Sequence, residues 1–453
     1  MRAVRHGEDG ASFGDLAVDE GYQVSLRDAL RPVVHAIRSV IGTHGLDDRL
    51  DTIEAAMRRL PDSPQVEATL PVTAMPASVL PQAPSVAPLL DVNMMLHQSR
   101  GALLRGMPVG ARRLLSAGCA GAWYFDWIEQ TYGWVPEHLG IEYYSPEPAG
   151  LPANVRWIAN TASDMSAVEA ESCDLVFSGQ NLEHLWPEEV SGFLLEAARV
   201  LRPGGHVVID SPNRLVTAGL NWSHPEHTLE LTAEEVATLL TLSGFDVTKV
   251  RGIWLCRDPR TGEILPFDPN VDAPGWSMVE RLAVASGDPV HAFIWWVEAR
   301  RADRHPDAFA VQETMARLFA THWPERVQRL LVPAGLPTQV DAEGTWVTCN
   351  PGYGGIAMFG PYMALRTGHY RVTWQVRPSK MACSPVAVCD VVAGTEVRTL
   401  ARQEVASGTE QVSLTFFLAE TTFGLQFRCA ATGGDGFSVL RKIQLVESPD
   451  AAT

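Results

Sequence analysis

Positive charge is scarce in this sequence: 36 Lys and Arg stand against 53 Asp and Glu, for a net charge of −17 over 453 residues. Nucleic-acid binders draw most of their affinity from basic surfaces, so neither nucleic acid nor another acidic polymer is expected as a partner. Cysteine is also sparse. The seven present are an odd number with no C-x-x-C pair, which fits reduced thiols in the cytoplasm and disfavours a zinc-cysteine site. Long apolar runs are missing too, and the opening MRAVRHGEDGASFGDLAVDE has no apolar h-region; neither a signal peptide nor a membrane span is expected. What the chain does have is 46% hydrophobic residues, enough for the cores of two or three domains.

The stretch from Val176 to Asn213 organises the rest. A short apolar run, Asp174 to Phe177, precedes an amphipathic segment in which Pro187 suits a first helical position and Glu188 and Glu189 favour the positive end of the helix dipole. Val190, Phe193, Leu194, Ala197 and Leu201 recur at the spacing of one buried helical face. Pro203-Gly204-Gly205 is expected to stop that helix before a second apolar run, Val207 to Ile209. Strand, helix and strand make a βαβ unit and hence a parallel sheet.

Here the chain resembles the class I S-adenosylmethionine-dependent methyltransferases. Asp174-Leu175-Val176-Phe177, Glu183-His184 and Arg199-Val200-Leu201-Arg202-Pro203-Gly204-Gly205 follow the family pattern (F/Y)DLV…EH…RVLRPGG, and the resemblance runs from about Leu96 to Arg301. It implies a doubly wound, seven-stranded, mostly parallel α/β sheet and S-adenosylmethionine as cofactor. The family's glycine-rich turn falls at Leu114 to Ala122, where Ser116 replaces the usual carboxylate and Ala122 the last glycine. By resemblance, Ala117, Gly118 and Cys119 would carry the methionine part of the cofactor, and backbone near Thr161 and Ala162 would meet the adenine.

In a doubly wound sheet the second strand ends in an acidic residue that accepts from both ribose hydroxyls; Glu142 is expected in that role, the alternative being a solvated strand-end carboxylate, and Tyr143 beside it either covers the base or packs under a loop. Ligands sit outside the carboxyl ends of the strands, so Ser178 and Gln180, after the fourth strand, are expected to line the cofactor. Methylating a hydroxyl requires removal of a proton near neutral pH, where imidazole titrates. His184 and His227 are the candidate proton acceptors; each equally suits a structural role. His224, Glu226 and His227 lie close enough in sequence to hold a divalent metal, but no carboxylate cluster completes a site, and no metal is assigned.

Around this core, residues 1–60 show heptad-spaced apolar residues in two short helices, suited either to homo-oligomerisation or to a hairpin packed on its own domain. Residues 61–90 are proline-rich and read as a linker. The methyltransferase-like domain is expected over 91–302, a helical connector over 303–332 and an all-β sandwich over 333–453, where Tyr370, Val372, Trp374 and Val376 alternate with polar residues. The stretch from Gly360 to Val372 resembles carbohydrate-binding-like jelly rolls, with Tyr353, Phe359 and Tyr362 either as candidate sugar-stacking rings or as core or turn residues. Trp123, Trp186, Trp222 and Trp254 are expected around the cleft, and the Pro-, Gly- and Asp-rich stretch from Arg257 to Pro289 reads either as an insertion over it, with Trp276 as a lid contact, or as a plain surface excursion. Together these point to an S-adenosylmethionine-dependent methyltransferase acting on a sugar or polysaccharide hydroxyl. The alternatives are a non-catalytic scaffold in a glycan-assembly complex, favoured by Ser116 and Ala122, and a natural-product O- or N-methyltransferase for a small-molecule acceptor.

Overall fold

Alternation decides how the first strand is used. In β1 (Arg113–Ala117) Leu114 and Leu115 are both fully buried but join different cores, because successive side chains leave a strand on opposite faces. A sheet covered on both sides follows. The computed structural model describes residues 90–447 apart from 120, 221–223, 225, 379–384 and 395–396. The helices expected over residues 1–60 and nearly all of the linker expected over 61–90 lie outside the described residues, as does Trp222.

Helix α1 (Val92–Leu104), capped by Asp91, precedes β1. Then come α2 (Ala122–Thr131), β2 (Glu137–Glu142), β3 (Val155–Ala159), β4 (Cys173–Gly179), α3 (Pro187–Val200) and β5 (Leu201–Pro212). After the short α4 (Arg214–Thr217) follow α5 (Ala233–Leu242), β6 (Phe245–Leu255), α6 (Met278–Gly287), β7 (Ala292–Arg301) and α7 (Ala308–Leu330). The sheet order is β3-β2-β1-β4-β5-β7-β6. Strands β1 to β5 pair in parallel and β7 runs antiparallel to both β5 and β6, the class I methyltransferase-like arrangement expected. Helices α3, α5 and α7 cover one face and α2 the other.

The family-pattern residues turn out to be ties within this fold. Asp174 accepts from the backbone N–H groups of Arg112 and Arg113 and pairs with Arg202, joining the starts of β1, β4 and β5. Arg199 binds Glu196 and donates to the carbonyls of Met165 and Val168, which clamps the loop after β3 onto α3. Pro203-Gly204-Gly205 does not stop the helix. It already ends at Val200, and the three residues form an irregular start to β5, where pairing with β4 shifts register and Gly204 takes a left-handed φ of 76°. The insertion between β6 and β7 is not plain loop: Ser277 and Glu280 form a capping box that starts α6.

The remainder is antiparallel β. Strands β8 (Val332–Pro333), β9 (Thr338–Asp341), β10 (Gly344–Cys349), β11 (Gly354–Phe359), β12 (Pro361–Leu365) and β13 (Gly368–Pro378) lead to β14 (Ala387–Ala393), β15 (Arg398–Val405), β16 (Gln411–Leu418), β17 (Thr422–Thr432) and β18 (Phe437–Glu447). They form a sheet of order β16-β13-β18-β10-β9 and another of order β15-β14-β17-β11-β8, with β12 on β17. Val372, Trp374 and Phe416 of one sheet share a core with Val391, Leu425 and Phe427 of the other. That shared core makes the two sheets a sandwich.

Trp186 and Trp254 do not line the cleft at the strand ends. Trp186, just ahead of α3, is buried in the sandwich core with Trp323 of α7, where the ring of Phe319 stacks on Trp323. Trp254 is fully buried, its indole N–H bonded to the Phe267 carbonyl and the Arg281 guanidinium over its ring. Trp276 is likewise engaged within the insertion, donating to Asp258. Among the three of these tryptophans that are described, Trp123 alone is exposed.

Candidate active site

The strand order reverses between β1 and β4, and the crevice at such a switch point, outside the carboxyl ends of the strands, is where an open α/β sheet takes its ligand. Here the chain leaves β1 through Gly118, whose φ of +76° suits glycine. A Cβ at Gly118 would lie 2.5 Å from the Asn181 side chain, which follows β4, so the two strand ends touch across the switch point. A cleft opens against them. It is lined by Gly118 from β1, Glu142, Tyr143 and Tyr144 from the end of β2, Asn160, Thr161 and Ala162 after β3, and Asn181, Leu185 and Glu189 beyond β4.

Glu142 is only 9% exposed, and one carboxylate oxygen accepts from the backbone N–H groups of Tyr144 at 2.8 Å and Ser145 at 3.1 Å. Those bonds fix the carboxylate at the cleft and leave its second oxygen for a ligand hydroxyl. Tyr143 stands 61% exposed at the rim. Thr161 shares a hydroxyl hydrogen bond with Ser163, while Asp164 caps a turn rather than a helix by accepting from the Ser166 N–H.

Of the residues expected to hold the cofactor, Gly118, Glu142, Tyr143, Thr161 and Ala162 therefore converge on one cleft. The others do not line it. Ala117 and Cys119 are fully buried beneath the turn, with the Cys119 thiol on the Ile141 carbonyl. Ser178 is buried and accepts from the Asn181 side chain. Gln180, at a left-handed φ of 54°, turns to Asp210 and donates to its carboxylate at 2.6 Å, and Arg100 of α1 pairs with the same Asp210. Asn181 takes the place expected for its two neighbours. Its polarity and position after β4 were the available signal, but the one-residue shift depends on the backbone of Gln180.

Ser116, where the family carries a carboxylate, is fully buried and hydrogen-bonded at 2.8 Å to Nε2 of His138 on β2. Burial pushes His138 down to about 4. Between pH 4 and 6.5 the unfolded chain then binds a proton on this histidine that the folded chain does not, so folding stability rises with pH across the window. Acidification from 6.5 toward 4 is expected to cost about 3 kcal/mol through this group. His138→Asn should remove one proton from the pH slope of stability, measured by urea unfolding at each pH; an unchanged slope would refute the assignment.

His184 and His227 come together, their rings edge to face with centroids 4.7 Å apart and His224 within 5.9 Å of both. His184 follows β4 and His227 follows β5, and the Thr228 and Leu229 N–H groups both donate to the Glu183 carbonyl. Burial lowers both imidazoles, His227 to about 4 and His184 well below its ordinary value, the latter with help from the two neighbouring histidines. His227 donates from Nδ1 to Glu230 at 2.8 Å. Burial opposes ionisation of Glu230, yet the bonds from His227 and the Arg326 guanidinium hold its carboxyl down at about 2. Arg326 of α7 is itself 2% exposed and also donates to the carbonyls of His227 and His224. Glu183, 1% exposed, accepts from Ser211 at 2.8 Å, and burial pushes it up to about 8.

A larger cleft, about 1030 Å³, lies between α7 and the β13–β18 face of the sandwich, lined by residues such as Trp323, Gln375 and Lys442. It holds none of the strand-end groups above.

Residues 115–209 match the family model described as a methyltransferase domain. A probable S-adenosylmethionine-dependent methyltransferase of Mycolicibacterium smegmatis is 31% identical over 147 residues, which is 32% of this chain and 55% of that protein. A protein of the same description from Mycobacterium tuberculosis is 30% identical over 139 residues, 30% of this chain and 49% of its own. The chain thus spans about half the length of these curated relatives. A crystal structure of an S-adenosylmethionine-dependent methyltransferase from Mesorhizobium loti aligns with 47% of this chain and 100% of its own, at 16% identity and a TM-score of 0.33. Residues 115–209 are thus similar to a methyltransferase domain, and the strand order in which they are set is that of the class I methyltransferase fold.

Proposed function

We propose that this chain transfers a methyl group from S-adenosylmethionine to a hydroxyl, on a sugar or polysaccharide acceptor. The observation that carries the proposal is the convergence of Gly118, Glu142, Thr161 and Ala162, from three separate loops, on the cleft at the switch point. Gly118 leaves the backbone bare where any side chain would strike Asn181, and Glu142 offers a fixed acceptor for a ribose diol. When bound, the cofactor supplies an already electrophilic methyl group, so the protein's part is orientation and proton removal. The acceptor oxygen gains the methyl as the sulfur–carbon bond breaks, and the hydroxyl proton passes to His184 or His227. Calorimetry with S-adenosylhomocysteine tests this directly: one site per chain is expected, and no heat together with no thermal stabilisation would favour the scaffold alternative, which the buried Ser116 still supports.

The glycan part draws on the sandwich. Phe423 of β17 meets Tyr144 at the cleft rim edge to face, 6.2 Å between centroids, and Arg366 pairs with Glu188 at the start of α3. The β-module thus stands beside the place where an acceptor would enter. Tyr362 is 37% exposed and in ring contact with Phe359 on the same sheet. Phe423→Ala should raise the acceptor KM about three- to tenfold, the worth of one aromatic pair, and leave S-adenosylhomocysteine affinity within about twofold. Equal KM values for a polysaccharide in both proteins would sink the module's role and favour a free small-molecule acceptor.

A further inference from the structure

The structure assigns a divalent-metal site to Glu183, His184 and His227. One ligand atom of each lies within 4.8 Å of those of the other two. Each donor is already oriented. The Nδ1 of His227 donates to Glu230, which Arg326 and Thr217 hold in turn, and Nδ1 of His184 faces the Glu226 carbonyl at 3.3 Å. These bonds select the tautomers whose lone pair is on Nε2, and an imidazole anchored by a carboxylate or carbonyl through its other nitrogen is the usual state of a metal-bound histidine. Glu183 is held at one oxygen by Ser211. Among the described residues it has no lysine or arginine ion-pair partner, although it is 1% exposed; a bound cation would favour its ionised, ligating form.

Two imidazoles and one carboxylate are a nitrogen–oxygen donor set suited to zinc or another divalent first-row metal. Donors around tetrahedral zinc stand roughly 3.3 Å apart, from bond lengths of about 2.0–2.1 Å, so modest side-chain rotation closes the set. Three protein donors leave a coordination position open. His184 is bracketed in sequence by the cleft-lining residues Asn181 and Leu185, and an oxygen of the acceptor is the ligand the open position would take. Only this last role depends on the proposed methyl transfer; with both imidazoles bound through Nε2, metal binding would replace, not add to, their role as proton acceptors. Along the chain, no carboxylate cluster completes a site with His224, Glu226 and His227. The fold brings in Glu183.

The test is titration of the tag-free, chelator-stripped full chain with Zn²⁺ by calorimetry and with Co²⁺ by visible absorption. We expect one zinc per chain, d–d bands from cobalt, and a loss of zinc affinity of about 100-fold in His184→Gln and in His227→Gln and about tenfold in Glu230→Gln, with circular dichroism confirming each fold. Where a variant does not fold, the wild-type cobalt spectrum decides. No d–d bands, or only the thiolate charge-transfer band of cysteine binding, overturns the site, as does zinc affinity unchanged in both histidine variants. S-adenosylhomocysteine binding by a chain that takes no metal would refute the metal site alone. Metal binding by a chain that takes no S-adenosylhomocysteine would refute the methyl-transfer reading alone.

Discussion

Arg326→Leu is expected to destabilise the folded chain by about 3–5 kcal/mol, the cost of leaving a buried carboxylate without its cation. Arg326 is 2% exposed and Glu230 1%. The guanidinium contacts Glu230 at 3.1 Å and also carries the carbonyls of His227 and His224, so the substitution strands one charge and two backbone acceptors together. Urea unfolding should show a lowered midpoint. The double variant Arg326→Leu, Glu230→Gln should recover part of the loss, because the amide no longer brings a buried charge although the carbonyls remain unpaired. A single variant as stable as the parent would mean that water reaches Glu230 and that the loop bearing His227 is not held from α7.

Glu142→Ala should weaken S-adenosylhomocysteine binding by about 100-fold, with little change in stability. Hydrogen bonds to a charged acceptor contribute about 1.5–3 kcal/mol, and loss of the pair a ribose diol would make falls in the range of two decades of affinity. The same carboxylate accepts from Tyr144 and Ser145, so alanine also frees the loop at the rim. Glu142→Gln keeps an acceptor oxygen and removes the charge, and about a tenfold loss is expected. Calorimetry distinguishes the three proteins. Equal dissociation constants would detach Glu142 from the cofactor and, with it, the placing of the nucleoside at the switch point.

Residues close in sequence told most of their story without coordinates. The apolar runs of β4 and β5, the period of α3 and the acidic end of β2 were all visible, because a strand's or helix's partners for these purposes are its own neighbours along the chain. Glu142 could be marked as a candidate since it ends a strand, and strand ends in a parallel sheet share an edge; Gly118 and Thr161 followed from the family resemblance. What stayed hidden were partnerships made across long separations. Nothing local says that Ser116 faces His138, that Gln180 turns to Asp210 and so yields the cleft to Asn181, or that Arg326 reaches back to Glu230. Trp186 misled for a similar reason: an aromatic beside a polar cluster reads as a cleft wall until the sandwich is seen to cover it.

Helix α7 contributes Val311 and Met315 to the core under the seven-stranded sheet and Trp323 and Val327 to that of the sandwich. A fragment ending at residue 302 would bare the first of these surfaces, and one beginning at residue 333 would bare the second. Each would offer water an oily scar and invite clumping during expression. Biochemists dissecting this molecule should accordingly cut it neither before nor after that shared rod, but keep both halves on the same polypeptide.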